Sequence, residues 1–429
     1  MRILITDEMS LSTVFTPFDR SFLYSFSFIP TVITARQLAA VTPSAHLVTI
    51  QEGNRPIDYD TSYDVVHINF KTALAPRAYE VADAFRKKGN RVILSGYHPS
   101  ALPDEAMQHA DGIIIGDAIT LWPVVVRDLE NNTLRPLYTS ADTPETLILP
   151  STSSVTLKSL QLTNSIEATR GCPHKCDFCQ DSNIRDGSMF RTRSLDDVIE
   201  EVASLQQKVF FFTDFSLTID LMYTKELFRR LRPLKKKFIC GGNIDVLGED
   251  EELLRLSHEA GCIEWISGFE TFSQESLDGA HKKSNIVDDY TRAVKNIHKH
   301  RMAVFGTFVL GFDEDTPDIF QTMQTHIGRL GIDAVNFALL TPYPGTPLFS
   351  RLEKEGRILT KDWSLYNRKN VVFAPKNITK KELEEGFRTI TRSFSSLPSM
   401  GYRTVRSLSL GVYPFLATFA GNLGQYMKT

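Results

Sequence analysis

The sequence predicts an α/β chain: an N-terminal doubly wound, Rossmann-like domain, then a partial (β/α)6 barrel, then a short, mostly helical C-terminal region. Three observations carry this. Short apolar runs of strand length alternate with segments of helical period, and they do so twice along the chain. A stretch rich in Ser, Thr and Pro, without a sustained helical period, separates the two alternations. After the second alternation the strand signals fade while the helical ones continue. At 429 residues there is room for two or three domains, taking roughly 150 residues for each. The expected division is 1–140, a linker at 141–164, the barrel at 165–360 and the helical region at 361–429.

In the first alternation the strand candidates are Arg2–Thr6, His46–Ile50, Asp64–Asn69, Arg91–Ser95 and Gly112–Ile115, with helical spacing at Ala75–Lys88 and Ala118–Leu129. Alternation of this kind builds a parallel sheet covered by helices on both faces. In the second, strands are expected at Ser165–Thr169, Lys208–Phe212, Lys237–Cys240, Glu264–Ser267, Val304–Leu310 and Ala334–Leu340. Helices are expected at Leu195–Gln206, Met222–Leu231, Asp250–Ala260, Asp288–His300 and Pro317–Leu330. Six strands with intervening helices suit an open barrel, whose chemistry sits at the carboxyl ends of the strands. A short strand near Val371–Phe373 and helices from Lys380 onward complete the chain.

Composition excludes several classes. With 42% apolar and 23% charged residues the chain can bury a large core. A net charge of −3 gives no electrostatic footprint for nucleic acid. The 28 phenylalanines are expected chiefly in the core. The five cysteines form an odd set, three of them within eight residues, which suits a reducing, cytoplasmic setting and a metal site better than a disulfide framework. No secretory signal opens the sequence. The apolar stretch Phe22–Ala40 is broken by Pro30 and Arg36, so it makes a poor membrane span. The tail from Val405 to Met427 reads as a packed helix with a break, and leaves room for contact with a membrane surface.

The chemistry concentrates at Cys172, Cys176 and Cys179, spaced C-x3-C-x2-C just after the first barrel strand. Thiolates are the ligands of iron–sulfur clusters, and a cubane normally takes four. Three from one loop leave one iron open to a substrate or cofactor. A zinc site is the alternative, but a fourth ligand at zinc-finger spacing is missing. Cys240 and Cys262 suit the core, where thiols pack as small apolar groups.

A C-x3-C-x-aromatic-C loop after a first strand resembles the radical S-adenosylmethionine (SAM) superfamily. The resemblance implies a 4Fe–4S cluster on Cys172, Cys176 and Cys179. The open iron of that cluster holds SAM, whose reductive cleavage gives a 5′-deoxyadenosyl radical. It places Phe178 near the adenine. Phe212-Thr213-Asp214-Phe215 resembles the segment near the SAM amino group, although the usual Gly-Gly-Glu form is absent, so Asp214 is assigned only loosely. Gly268-Phe269-Glu270-Thr271 resembles the segment whose carboxylate contacts the ribose. The Gly306–Glu314 string, with Gly311, resembles the adenine-side pattern, and Tyr343 lies in a loop like the one ending the barrel.

The first domain resembles the cobalamin-binding domain that precedes the barrel in one subfamily, through Val92–Ala106 and Ala110–Ala118. There Ser95, Gly96, His98 and Gly116 would face a corrin. The D-x-H-x-x-G pattern that supplies an axial histidine is absent: Asp7–Ser12 holds no histidine. Cobalamin is therefore an optional third cofactor. The resemblance implies a large apolar small-molecule substrate and a low-potential electron donor such as ferredoxin or flavodoxin. Two reactions stand side by side. The favoured one is oxidation of an unactivated carbon, such as hydroxylation of a bacteriochlorophyllide methyl group in bacteriochlorophyll biosynthesis. The alternative is cobalamin-dependent C-methylation of a tetrapyrrole, polyprenoid or natural product. A methylthiotransferase would need three further cysteines, and only Cys240 and Cys262 remain.

Overall fold

A computed structural model describes residues 1–6, 33–51, 57–139, 150–152 and 163–427. Asp7–Ser12, much of Phe22–Ala40 and most of the expected linker lie outside the described residues.

Two six-stranded parallel sheets organise the chain. The first runs in the order β2-β1-β3-β4-β5-β6, with β1 Arg2–Thr6, β2 Leu47–Gln51, β3 Val65–Asn69, β4 Arg91–Ser95, β5 Gly112–Ile114 and β6 Leu137–Tyr138. The strand order reverses at β1, so β1 and β3 flank a switch point where ligands of doubly wound sheets bind. Strand β6 was not expected. It is a two-residue edge entered through Pro136, whose carbonyl takes the amide of Ile113. It is too short to show a period, and proline is tolerated at such an edge.

The second sheet holds β7 Thr163–Ile166, β10 Val209–Phe212, β11 Lys237–Gly241, β12 Cys262–Glu270, β13 Ala303–Leu310 and β14 Ala334–Leu339. Their order is sequential and β7 does not pair with β14, so the barrel is open. The first of these strands ends earlier than the Ser165–Thr169 run suggests, because the Asp214 carboxylate takes the amides of Ala168 and Thr169. The chain then forms a short antiparallel ribbon, β8 Thr169–Arg170 with β9 Arg191–Thr192, that frames the cysteine loop. The Val371–Phe373 segment keeps one bridge, Phe373 to Ile358.

Phe210, Phe228, Phe238, Trp265, Phe269 and Phe308 are fully buried between the barrel sheet and its helices, each contributing about 1.5–3 kcal/mol on burial. The opposite strand faces turn inward. At their amino-terminal side Phe211, Ile239 and Ile263 pack on Ala417 of the Val412–Tyr426 helix. Gly421 of that helix approaches so closely that a Cβ there would stand 3.2 Å from Ala334 and 3.3 Å from Phe305. The tail thus closes the base of the barrel, opposite the cysteine loop.

In the first sheet His67 is buried beside Trp122, with Nε2 2.9 Å from the Ser95 hydroxyl. Burial holds its imidazole down at about 3, from the ordinary 6.5. Below about pH 6.5 the unfolded chain binds a proton that the folded chain refuses. Stability from this group is whole above that pH and falls as the pH drops towards 3. His67→Gln should flatten this acid dependence, read as the change in urea midpoint between about pH 7 and pH 4.

Candidate active site at the junction of the two sheets

The cysteine loop leaves the barrel rim at Gly171, whose φ of +88° and tight surroundings require glycine: a Cβ would lie 2.1 Å from the Met189 carbonyl oxygen. The Cys172 amide donates to the Gly187 carbonyl at 2.9 Å, and the Cys179 amide to that of Cys176 at 3.0 Å. Asn183, in the Gln180–Asn183 helical turn, donates to the carbonyls of Cys176 and Cys179 at 2.8 and 2.7 Å. Asp177 pins the loop to the rim, its amide on the Ala280 carbonyl and its own carbonyl taking the Leu348 amide, each at 3.1 Å.

Cys176 is buried, and Cys172 and Cys179 are half-buried. Burial pushes all three thiols up, Cys179 to about 12 with Asp181 adding to the effect, while the Lys282 ammonium pulls Cys172 and Cys176 back. Such thiols give up their protons to a metal centre rather than to water. Among the described residues no three His, Cys, Asp or Glu side chains are placed to hold a single ion. The donor set of three thiols on one loop fits a cluster whose irons stand apart at the corners of a cubane.

Around the loop the expected site residues take different parts. Phe178 packs edge-on against Phe312 at 5.9 Å, just beyond the end of β13. Glu270 ends β12 with a φ of +62°, its carboxylate 3.3 Å from the Lys282 ammonium. Gly268 leaves the room that this carboxylate fills, since a Cβ there would come within 2.3 Å of it. Lys282 carries no signal of its own in the sequence, where it sits between His281 and Lys283. Burial alone would lower its pKa, but Glu270 and Cys176 outweigh that and raise it.

Asp214 faces the backbone of residues 168 and 169 and the Thr169 hydroxyl. Burial raises it to about 7 against those hydrogen bonds, so its oxygens are already engaged in holding β8. Gly311 donates to Asp315 at 2.6 Å and lies against Leu383 of the tail. Tyr343 packs on the core of the first sheet rather than within the barrel.

Between the two sheets lies a cavity of about 630 Å³, within the ~300–1,000 Å³ typical of cofactor pockets. Its first-sheet wall comes from the carboxyl ends of β3, β4 and β5: Asn69, Lys71, Gly96, Tyr97 and Gly116–Ile119. Its other wall is Glu167, Arg170 and Gly171, with Arg185–Gly187 behind the cysteine loop. Gly96 and Gly116 line it with φ of +109° and +95°, and a Cβ would strike the protein itself, 2.5 Å from the Phe70 carbonyl oxygen at Gly96 and 2.7 Å from the Asp186 carboxylate at Gly116. Ser95 does not line it; its hydroxyl is spent on His67 and Asn69, both at 2.9 Å. His98 departs furthest from expectation. It is fully buried on the far side, 3.1 Å from Glu105 and edge-on to Trp363. Trp363 arrives from the far end of the sequence, so no local pattern announces that burial.

One charged group joins the walls. The Arg170 guanidinium reaches both Asp117 oxygens at 3.0 Å, Glu167 Oε1 at 2.9 Å and Gln37 Oε1 at 2.9 Å. Asp117 also caps the Ala118–Glu130 helix through the amide of Ile119. Burial would lower the Arg170 pKa, yet Glu167 and Asp117 raise it. Arg170 carries no local signal in the sequence, since only the fold brings Gln37 and Asp117 to it.

Residues 166–325 match the profile of the Radical SAM superfamily. The chain is 31% identical over 79% of its length to the bacteriochlorophyllide d C-12(1)-methyltransferase of Chlorobaculum tepidum, covering 75% of that protein. It is also 31% identical over 78% of its length to the C-8(2)-methyltransferase of the same organism, covering 79% of it. In fold it resembles the radical SAM methyltransferase TsrM from Kitasatospora setae, solved with cobalamin and a [4Fe-4S] cluster. That TM-score is 0.65 at 15% identity, covering 82% of this chain and 78% of that one. These relatives are methyltransferases, which weighs against the oxidative reading favoured from sequence.

Arg170→Met should leave two buried carboxylates uncompensated, at a cost of about 3–5 kcal/mol. The expected readouts are a lower thermal midpoint and less iron retained per chain. Arg170→Lys keeps the charge but loses the planar fork, so it should fall between. Gly171→Ala should lose cluster retention while the far-ultraviolet circular dichroism stays native-like.

Proposed function

Because the chain belongs to the radical SAM superfamily, we propose that it is a cobalamin-dependent C-methyltransferase acting on a tetrapyrrole of the bacteriochlorophyllide class. The observation that carries this is the 31% identity, over more than three quarters of the chain, to two bacteriochlorophyllide d methyltransferases. The cavity beside the cysteine loop, at the carboxyl ends of β3, β4 and β5, supports the corrin. When bound, the cluster and SAM supply a carbon-centred radical and the corrin a transferable methyl group.

The chain's own residues then have separate tasks. Cys172, Cys176 and Cys179 hold the cluster. Glu270 accepts hydrogen bonds from the ribose hydroxyls, with Lys282 balancing its charge and that of the thiolates. Phe178, with Phe312 and the Gly311 turn, flanks the adenine. Asp214 fixes the backbone that leads into the loop, and Tyr343 fixes the loop that meets the first sheet. Gly96 and Gly116 receive the corrin. The terminal helix keeps water out of the barrel from below. A ferredoxin or flavodoxin is the matching class of electron donor.

Anaerobic turnover with bacteriochlorophyllide d, methyl-deuterated SAM and heavy-oxygen water tests the reading. A product carrying an intact deuterated methyl group is expected; heavy oxygen in its place would overturn it in favour of oxidation. Replacement of any one of the three cysteines by Ala should abolish SAM cleavage, measured as 5′-deoxyadenosine. Glu270→Gln should weaken SAM binding about tenfold, the worth of one charged hydrogen bond, while leaving cluster absorbance in place.

A further inference from the structure

The last two helices, Leu397–Ser407 and Val412–Tyr426, turn large apolar side chains to the outside. Val412 is 68% exposed, Leu416 43% and Phe419 46%, and Tyr402 and Val405 of the preceding helix are exposed by 69% and 64%. In the terminal helix Val412, Leu416 and Phe419 follow the i, i+4, i+7 spacing of one face, while Pro414, Ala417, Thr418 and Asn422 face the barrel. The face is uninterrupted by charge: Ser407 to Met427 contains no Asp, Glu, Lys or Arg. Folded monomers seldom leave such a surface to water without a use for it.

The charge around the face points to its occupant. From Gly386 to Thr429 the sequence contains no carboxylate side chain in a chain of net charge −3, while Arg388 and Arg392 are exposed on the Lys380–Ser395 helix and Arg406 is half-buried beside the tail. The barrel base adds Lys235, Lys236 and Lys237, the last with its ammonium 5.4 Å from the centre of the Tyr413 ring in the first turn of the terminal helix. Asp333, just before β14, is fully buried and paired with Arg406 at 3.1 Å and His298 at 2.8 Å. An apolar helix face bordered by cations and free of anions matches a bilayer surface with anionic headgroups, where apolar side chains enter the acyl boundary and Lys and Arg meet phosphate. The helix has 15 residues, about 22 Å of length, too short to cross a hydrocarbon core of about 30 Å. Among the described residues no helix is long and apolar enough to cross a membrane. Lying in the interface is the geometry that remains.

We propose that the base of the barrel, through the Val412–Tyr426 helix and its basic surroundings, docks the enzyme on an anionic lipid surface. Docking there leaves the cysteine loop, at the opposite end of the barrel, free for substrate and electron donor. The inference stands apart from the proposed reaction, since it rests on the tail alone.

Flotation of the reconstituted full chain with two sets of vesicles tests it, one of phosphatidylcholine alone and one mixed with phosphatidylglycerol. The chain should float with the mixed vesicles, bind the neutral ones far less, and be released by high salt. A variant carrying Leu416→Asp and Phe419→Asp should lose at least tenfold in binding while keeping its thermal midpoint and its SAM cleavage. Failure of the wild type to float with either vesicle would overturn the proposal, as would flotation that the double variant retains. A concentration-dependent dimer that does not bind vesicles, dispersed by the same two substitutions, would overturn it as well and assign the face to a second copy of the chain.

Discussion

Arg170 carries a positive charge into the junction of the two sheets, one residue before the glycine from which the cysteine loop departs. Its guanidinium meets Asp117 from the first sheet, Glu167 from the strand end of the barrel and Gln37 from the Ile33–Val41 helix. Removing such a cation strands two carboxylates in a place with little water, so the pairing constrains both walls at once. Asp117 caps the helix that borders the cavity, and Arg170 leads directly into Gly171 and Cys172. The position of the cavity and that of the cysteine loop are therefore set by the same group.

The rest of the barrel follows from its two unlike ends. At the carboxyl end the strands finish in loops that carry thiols, the Glu270–Lys282 pair and the Phe178–Phe312 contact. At the amino end Phe211, Ile239 and Ile263 meet Ala417 of the terminal helix, which stops the interior there. Chemistry on a reactive radical depends on keeping solvent away, and the plug at the base serves that end. The same helix then has one face in the barrel and the other outside, which is why its sequence is apolar nearly all round.

Much of this was legible in the sequence where a single physical signal dominates. Val209–Phe212 is a continuously apolar run buried over most of its length, and Ala303–Leu310 alternates buried with half-buried residues. The cysteine loop declares itself by spacing. What could not be read depends on partners far away in sequence. His98 follows a strand and looks like a loop residue facing a ligand, but Trp363 and Glu105 enclose it. Ser95 points into the sheet because His67 and Asn69 claim its hydroxyl. Lys282 and Arg170 look like ordinary surface cations until the fold brings Glu270, Asp117 and Gln37 to them. The choice between oxidation and methyl transfer lies in a reaction partner, not in a residue pattern, and it took the identity to methyltransferases to weigh it.

The proposed methyl transfer requires a corrin in the cavity between the sheets, beside a cluster held by the loop. The most direct measurement is the iron and corrin content of anaerobically purified, reconstituted protein, with its visible absorbance spectrum. About four irons together with one tightly held corrin per chain are expected. The same iron with no corrin retained would contradict the proposed methyl transfer.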